Sequence, residues 1–442
     1  MLKWMLLAGY GTALGAAAWA RGGMDAEIWN WVAAAVVALA VVGEAWGQWE
    51  RDRWAAGPRD RRLEWWCAGL LGVAGVQMIP LPAGVVGWIS PTSREMWAGV
   101  GRTGWMPVTV APEESWTEFL RLGATLAMVV GARRLAEMFE GRRWVAAAPV
   151  VVVAWLESVL GLAQFYFARM AGGEAGSSVG TYVNRNHFAG LLEMAAPVAA
   201  GLAAGAYARG ATRHSSSGRS GVAASWWLGV AGCLVLGVVV SLSRMGFLAT
   251  LAGLGIGALS GFGTRGEAMG GRWRLGLGVG LLAALGLGLV YLPTDELIGR
   301  FATFAQTDDI SQDTRAEIWR ETGALMRDYP VLGAGLGSYV TAFLKYKTVA
   351  PENTVDYAHN DYLQVGAEMG VVGLGVALGL AWLVFGRAWR GAHSWGWLQM
   401  GIVGALGAMA LHGLVDFNLY LPANALALGW LGGGGCADEE WD

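Results

Sequence analysis

The chain has 442 residues, of which 55% are hydrophobic and only 15% charged, with a formal net charge of −3. A soluble protein carries about a quarter charged residues, so the composition excludes an ordinary soluble globule. The net charge by itself says nothing of nucleic acid; no nucleic-acid partner is expected, and membrane lipids are.

Apolar runs recur down the chain, each about 18–22 residues, enough to cross a hydrocarbon core of about 30 Å as a helix. The expected fold class is all-α, a polytopic integral membrane helical bundle of about 12 transmembrane helices. The spans fall near 3–20, 28–46, 63–82, 116–132, 144–167, 187–208, 223–241, 245–262, 275–292, 366–386, 397–415 and 417–435. The first run follows Lys3 and leads through Arg21 and Asp25 into another span, so it reads as a retained helix, not a leader. The stretch 223–262 admits a second reading, one long helix plus a re-entrant segment, which would invert everything downstream.

Three units follow: 1–292 with spans one to nine, a loop domain at 293–365 with an amphipathic helix, and 366–442 with the last three spans and a short tail. Five connecting segments, 47–62, 133–143, 209–222, 263–274 and 387–396, carry arginines and share one side if the spans alternate. The positive-inside rule makes that side the cytoplasm. Both termini are then cytoplasmic, and 83–115, 168–186 and 293–365 lie outside. The last carries six Lys/Arg, but loops beyond about 60 residues escape the rule. Tryptophans cluster at span ends (Trp29, Trp31, Trp65, Trp66, Trp226, Trp227, Trp395 and Trp397), where amphipathic rings anchor at the headgroups.

The cysteines, Cys67, Cys233 and Cys436, offer neither metal spacing nor a disulfide framework. The histidines lack zinc spacing too, and no metal or cofactor is expected.

Arg244 sits in Ser241-Leu242-Ser243-Arg244-Met245-Gly246 between two apolar runs. A cation at the hydrocarbon edge either snorkels or pairs; the paired reading is a phosphate contact through the guanidinium fork. In 311–329, Ile318, Trp319, Thr322, Leu325, Met326 and Tyr329 recur at spacings of three and four, one apolar helical stripe. Ser311 or Asp313 can cap that helix, with Glu317 as the box partner; Pro330 and Gly333 end it. Arg315 lies in its first turn, where an acidic residue would suit the dipole better, so it is either a solvated arginine or an anion ligand. Arg320 and Arg327 read as solvent-facing. Gly333-Ala334-Gly335-Leu336-Gly337-Ser338 lacks the third glycine and the preceding strand of a dinucleotide loop and reads as a tight turn. His359 lies just before the tenth span, where it is either a bonded loop histidine or a general base for a hydroxyl. Asn360 and Asp361 follow it. Asn184-Arg185-Asn186-His187 and His412 to Asn418 are two more polar clusters on the same side, as fit for capping as for a site.

The pattern resembles the O-antigen ligase/polymerase superfamily of bacterial membrane proteins over roughly residues 60–430. The resemblance is carried by Ser243-Arg244, Arg315 with Trp319 and Pro330, and His359-Asn360-x-Tyr362-Leu363-Gln364 with Glu368 and Gly370. Val183-Asn184-Arg185-Asn186-His187-Phe188 and His412-x-x-Val415-Asp416-Phe417-Asn418 with Pro422-Ala423-Asn424 look like a subgroup of it. Met245-Gly246 stands where the family has Gly-Gly.

The resemblance implies a GT-C-like, metal-independent glycosyltransferase of the bacterial inner membrane. Its donor is an undecaprenyl-diphosphate-linked glycan, its acceptor a glycan or lipid A-core, and its site periplasmic. It implies pyrophosphate binding by Arg244 and Arg315 and a His359 base. Arg185, His187, Asn360 and Tyr362 join them as substrate-binding candidates. A polymerase of the same superfamily, a protein O-glycosylation enzyme, a lipid-linked glycan transporter and a binding or sensing protein are the alternatives.

Overall fold

A computed structural model describes residues 1–54, 60–139, 142, 144–171, 177–212, 217–261, 312–348, 354–393 and 396–437. It is helical almost throughout. The helices are α1 (Leu2–Trp19), α2 (Ala26–Trp54), α3 (Arg62–Met78), α4 (Ala83–Ile89), α5 (Pro91–Gly99), α6 (Pro112–Met138), α7 (Trp144–Met170), α8 (Arg185–Thr212), α9 (Ser217–Val240) and α10 (Arg244–Ser260). After residue 311 come α11 (Gln312–Asp328), α12 (Tyr339–Phe343), α13 (Asp361–His393), α14 (Trp397–His412), a 3-10 turn (Asn418–Tyr420) and α15 (Pro422–Gly435). One two-residue antiparallel pair, β1 (Leu81–Pro82) with β2 (Trp105–Met106), closes the loop before α6.

Among the described residues five helices are long and apolar enough to cross a membrane, within α2, α7, α8, α9 and α13; α10 and α14 are apolar but shorter. The chain is a helical membrane protein. Eleven of the predicted spans fall on helices; 275–292 lies outside the described residues. The 223–262 stretch is two helices, parted at Ser241–Ser243 where Leu242 takes φ 57°. The last predicted span is corrected most: α15 has 14 residues, about 21 Å at 1.5 Å per residue, because a partly buried 413–421 segment occupies its expected start.

The centre of the bundle is α8, 94% buried over its apolar stretch. Its alanines and glycines allow this, since packing between apolar helices in lipid rests on close van der Waals contact. A Cβ on Gly201 would stand 2.3 Å from the Trp397 carbonyl of α14, and one on Gly404 of α14 would stand 2.5 Å from the Gly253 carbonyl of α10.

At one end of the bundle three of the five arginine-rich segments, 47–62, 133–143 and 387–396, meet, and 263–274 lies outside the described residues. Buried Arg133 bonds Glu137 (3.1 Å), Glu64 (3.4 Å) and the Asp60 carbonyl (2.9 Å), and Arg387 pairs with Asp60. Lys3 reaches the Met138 carbonyl at 3.3 Å. Alternating spans predict that shared end. Trp31, Trp65 and Trp226 are exposed as anchors would be, and Trp395 lies outside the described residues. Trp29 is a correction: it is 2% exposed. It belongs to the inward stripe of α2 with Val32, Val36 and Ala40, while Trp31 faces away.

At the other end α13 is broken. Gly370 has φ 63° and ψ −168°, freeing backbone groups that cost several kcal/mol each if left bare in apolar surroundings. The segment after α11 takes them up. Ala334 and Gly335 amides donate to the carbonyls of Ala367 (2.9 Å) and Glu368 (3.0 Å), and the amides of Val371 and Val372 donate to Pro330 (2.9 Å) and Val331 (3.2 Å). Gln77 of α3 adds its Nε2 to the Glu368 carbonyl at 2.7 Å and its Oε1 to the Leu336 amide at 3.0 Å. The glycine-rich turn is thus a clasp in a broken helix. It binds the loop unit to the membrane helices as one piece.

Candidate functional site

The loop unit delivers its residues through α11. The predicted stripe is buried: Ile318, Thr322 and Leu325 at 0% and Tyr329 at 1% exposure, with Arg320 and Arg327 outward as expected. Ser311 is outside the described residues. Trp319 donates its Nε1 to the Ala358 carbonyl at 3.0 Å, which pins the backbone just before His359. Arg315 lies one turn earlier, on the same face. Its Nε is buried with no hydrogen-bond partner among the described residues.

His359 sits at the mouth of α13 with φ 49°, a conformation few non-glycine residues adopt. Neighbours on both sides hold it there. Asn360 caps α13, its Oδ1 accepting from the Tyr362 and Leu363 amides (3.0 Å each) while its Nδ2 donates to the Leu414 carbonyl at 2.8 Å. The Asp361 amide donates to the Gly413 carbonyl at 2.8 Å, and the buried Asp361 carboxylate accepts from the Leu419 amide at 3.2 Å. Tyr362 bonds the Ala410 carbonyl at 2.7 Å. Asn360 and Tyr362 therefore fasten α13 to the 410–419 segment.

That segment brings Asp416, buried at 2% exposure, into the middle of the site. Three of the chain's five histidines meet it. His187 Nε2 lies 3.6 Å and His359 Nδ1 4.0 Å from Asp416 Oδ1, and His412 Nε2 lies 4.0 Å from Oδ2. Phe417 stands between the first two, with edge-on ring contacts at 4.7 Å to His187 and 5.0 Å to His359. Tyr357 stacks on Phe417 at 4.1 Å. Burial pushes the Asp416 carboxyl up. The nearby imidazoles of His187 and His412 and the hydrogen bond from the Phe417 amide outweigh it and hold the group below the usual carboxylate range. Among the described residues no group of His, Cys, Asp and Glu is arranged to hold a metal ion.

Two further arginines open helices beside this cluster. Ser243 caps α10 by accepting from the Gly246 amide at 3.2 Å, which makes Arg244 its first residue. Arg185 is the first residue of α8, where Asn184 accepts from the Asn186 amide at 2.8 Å. The two helix starts adjoin: a Cβ on Gly246 would lie 2.5 Å from Ala189 Cβ, two residues beyond His187. Free N–H groups at helix starts with arginines upon them favour anions.

Behind the α13 mouth lies a cavity of about 840 Å³ between α6, α13, α14 and α15. Its walls are mostly apolar, from Leu122 and Val129 to Phe385 and Leu428, and its polar groups are Glu118, Arg121, Thr125, Asp361, Tyr362 and Tyr420. Glu118 and Arg121 pair at 2.5 Å.

Sequence reasoning singled out His359, Arg315, Arg244, Arg185 and His187 but gave Asp416 no role of its own. Its position relative to three histidines from three segments depends on how α8, α13 and α14 pack. The one signal was its place in a polar cluster interrupting an apolar run.

The chain's residues 229–378 match the family described as O-Antigen ligase (Wzy_C). The matched stretch contains Arg244, Arg315 and His359 and leaves out Arg185, His187 and Asp416. Comparison with curated proteins gives no match. Over that stretch, about a third of its length, the chain is similar to the O-antigen ligase family.

Proposed function

We propose that this protein transfers a glycan from an undecaprenyl-diphosphate carrier to an acceptor hydroxyl at the periplasmic face of the inner membrane. The observation that carries this reading is the loop histidine His359 set against buried Asp416, with Arg315 one turn from the Trp319 that pins residue 358. Asp416 orients the imidazole from its Nδ1 side and leaves Nε2 to take the acceptor proton. The acceptor oxygen attacks the sugar C1, the C1–O bond to diphosphate breaks, and the proton passes to His359. Arg315 and Arg244, each at a helix start, neutralise the departing diphosphate. Attack from the face opposite the leaving group inverts C1. The apolar cavity beside α13 suits a lipid chain.

Lipid A-core is the acceptor of the ligase reading, and a second lipid-linked glycan that of the polymerase reading. A transporter keeps its polar site near the bilayer midplane, whereas the residues named here gather at one end of the bundle.

Purified protein supplied with an undecaprenyl-diphosphate-linked glycan and each acceptor in turn tests the proposal. Arg315→Ala and His359→Ala are expected to lower turnover by about 10²-fold or more. Transfer at wild-type rate in both would remove the site assignment. Retained configuration at C1 would remove direct attack.

A further inference from the structure

Behind Asp416 lies a second layer that the proposed transfer step does not use. His412 Nδ1 stands 2.8 and 3.0 Å from the two carboxylate oxygens of Glu193, and both side chains are 0% exposed. Among the described residues His412 Nε2 has no hydrogen-bond partner, and it lies 4.0 Å from Asp416 Oδ2. Acids and imidazoles thus alternate in one string: Glu193, His412, Asp416, His359. An ionisable pair at this depth in apolar helices is costly to keep and usually serves a site. Capping does not account for it: Glu193 lies in the interior of α8, and among the described residues the His412 side-chain nitrogens bond no backbone group. The titratable groups acting on His412 are Glu193 from α8, Asp416 from the following loop and Asp361 from the mouth of α13, and Asp416 in turn faces His187 and His359.

We propose that Glu193 and His412 are positioning residues of the transfer reaction, acting on His359 through Asp416. This rests on the assignment of His359 as the base. Glu193 fixes the His412 ring. His412 then faces Asp416 Oδ2 at 4.0 Å as a neighbouring charge, while Oδ1 is turned toward His359 and His187. His412 also shares the charge of Asp416. With asparagine at 412 all of that charge falls on His359 and His187, and His359 keeps its proton to higher pH. The acceptor proton ends on His359 Nε2, and no proton has to leave the buried pair during turnover.

The test is turnover against pH for the full chain, with an undecaprenyl-diphosphate-linked glycan as donor and lipid A-core or a second lipid-linked glycan as acceptor. His412→Asn is expected to lower kcat about tenfold at pH 7, to leave the donor KM within about twofold, and to move the acidic limb upward by about one pH unit. Glu193→Gln, close to isosteric, is expected to lower kcat by a smaller factor at the same KM, and it stands in if the histidine variant does not fold. An unmoved limb in His412→Asn, or in both variants a rise in donor KM as large as the loss of kcat, overturns the proposal. His359→Ala, run alongside, separates the two levels. Wild-type turnover there sinks the base assignment itself; lost turnover there with an unmoved limb in His412→Asn sinks only the positioning role.

Discussion

Asp416 shows how much one side chain can decide. It is an acid buried in a mostly apolar bundle, and such a group persists only when cations or hydrogen bonds meet it. Here imidazoles from α8, from the mouth of α13 and from the end of α14 do so. Because its pKa is held below the unfolded value, its contribution to stability is complete above the ordinary carboxylate range near pH 4 and is lost as pH falls through the folded value. Thermal unfolding of the detergent-solubilised protein should therefore drop in acid, and Asp416→Asn should flatten that drop. If Asp416 orients His359 as proposed, the same variant should lose turnover by about 10²-fold. Melting curves for wild type and variant that fall in parallel below pH 4 would contradict this account of Asp416.

At the scale of elements, the break in α13 is what joins the loop unit to the membrane helices. Gly370 cannot be replaced cheaply: a Cβ there would stand 2.3 Å from the Val331 carbonyl oxygen, at a positive φ. Gly370→Ala should cost about 2 kcal/mol or more, read as a lowered midpoint in denaturant. A neutral result would mean that the clasp relaxes freely. The link from α11 to His359 is finer. Trp319→Phe keeps the ring packing and removes the bond to the Ala358 carbonyl, worth about 1 kcal/mol. It should lower kcat severalfold while leaving donor KM nearly unchanged, because His359 loses alignment and the arginines do not. Unaltered kcat would show that the 358 carbonyl does not set the histidine's position.

Across the whole molecule the two ends of the bundle carry separate burdens. One end holds Asp416 and its histidines. The other is closed by Arg133, at 0% exposure, with Glu64, Glu137 and the Asp60 carbonyl around it. Removing one partner of a buried ion cluster costs about 3–5 kcal/mol. Glu64 and Glu137 keep some exposure here (19% and 16%), so Arg133→Leu should cost about 2 kcal/mol. Stability should fall, and donor KM at permissive temperature should hold. A changed KM in this variant would reveal coupling along the length of the bundle.

Much was legible in the residues themselves. Apolar runs located the helices because a membrane helix must satisfy its backbone within its own segment. The spacing of Ile318, Trp319, Thr322 and Leu325 gave the buried face of α11 for the same local reason. Arg315 and Arg244 stood out as cations where a structural helix gains nothing from them. What required the tertiary structure was every relation between distant segments. The glycine-rich turn at 333–338 could be rejected as a nucleotide loop from sequence, but its use as a clasp depends on the break at Gly370, which lies beyond α12 and the segment that follows it. Trp29 and Trp31 look alike in sequence and face opposite ways, because only packing decides which side of α2 is inside. The gathering of His187, His359 and His412 on Asp416 was decided by the way α8, α13 and α14 pack, and no periodicity along the chain encodes that.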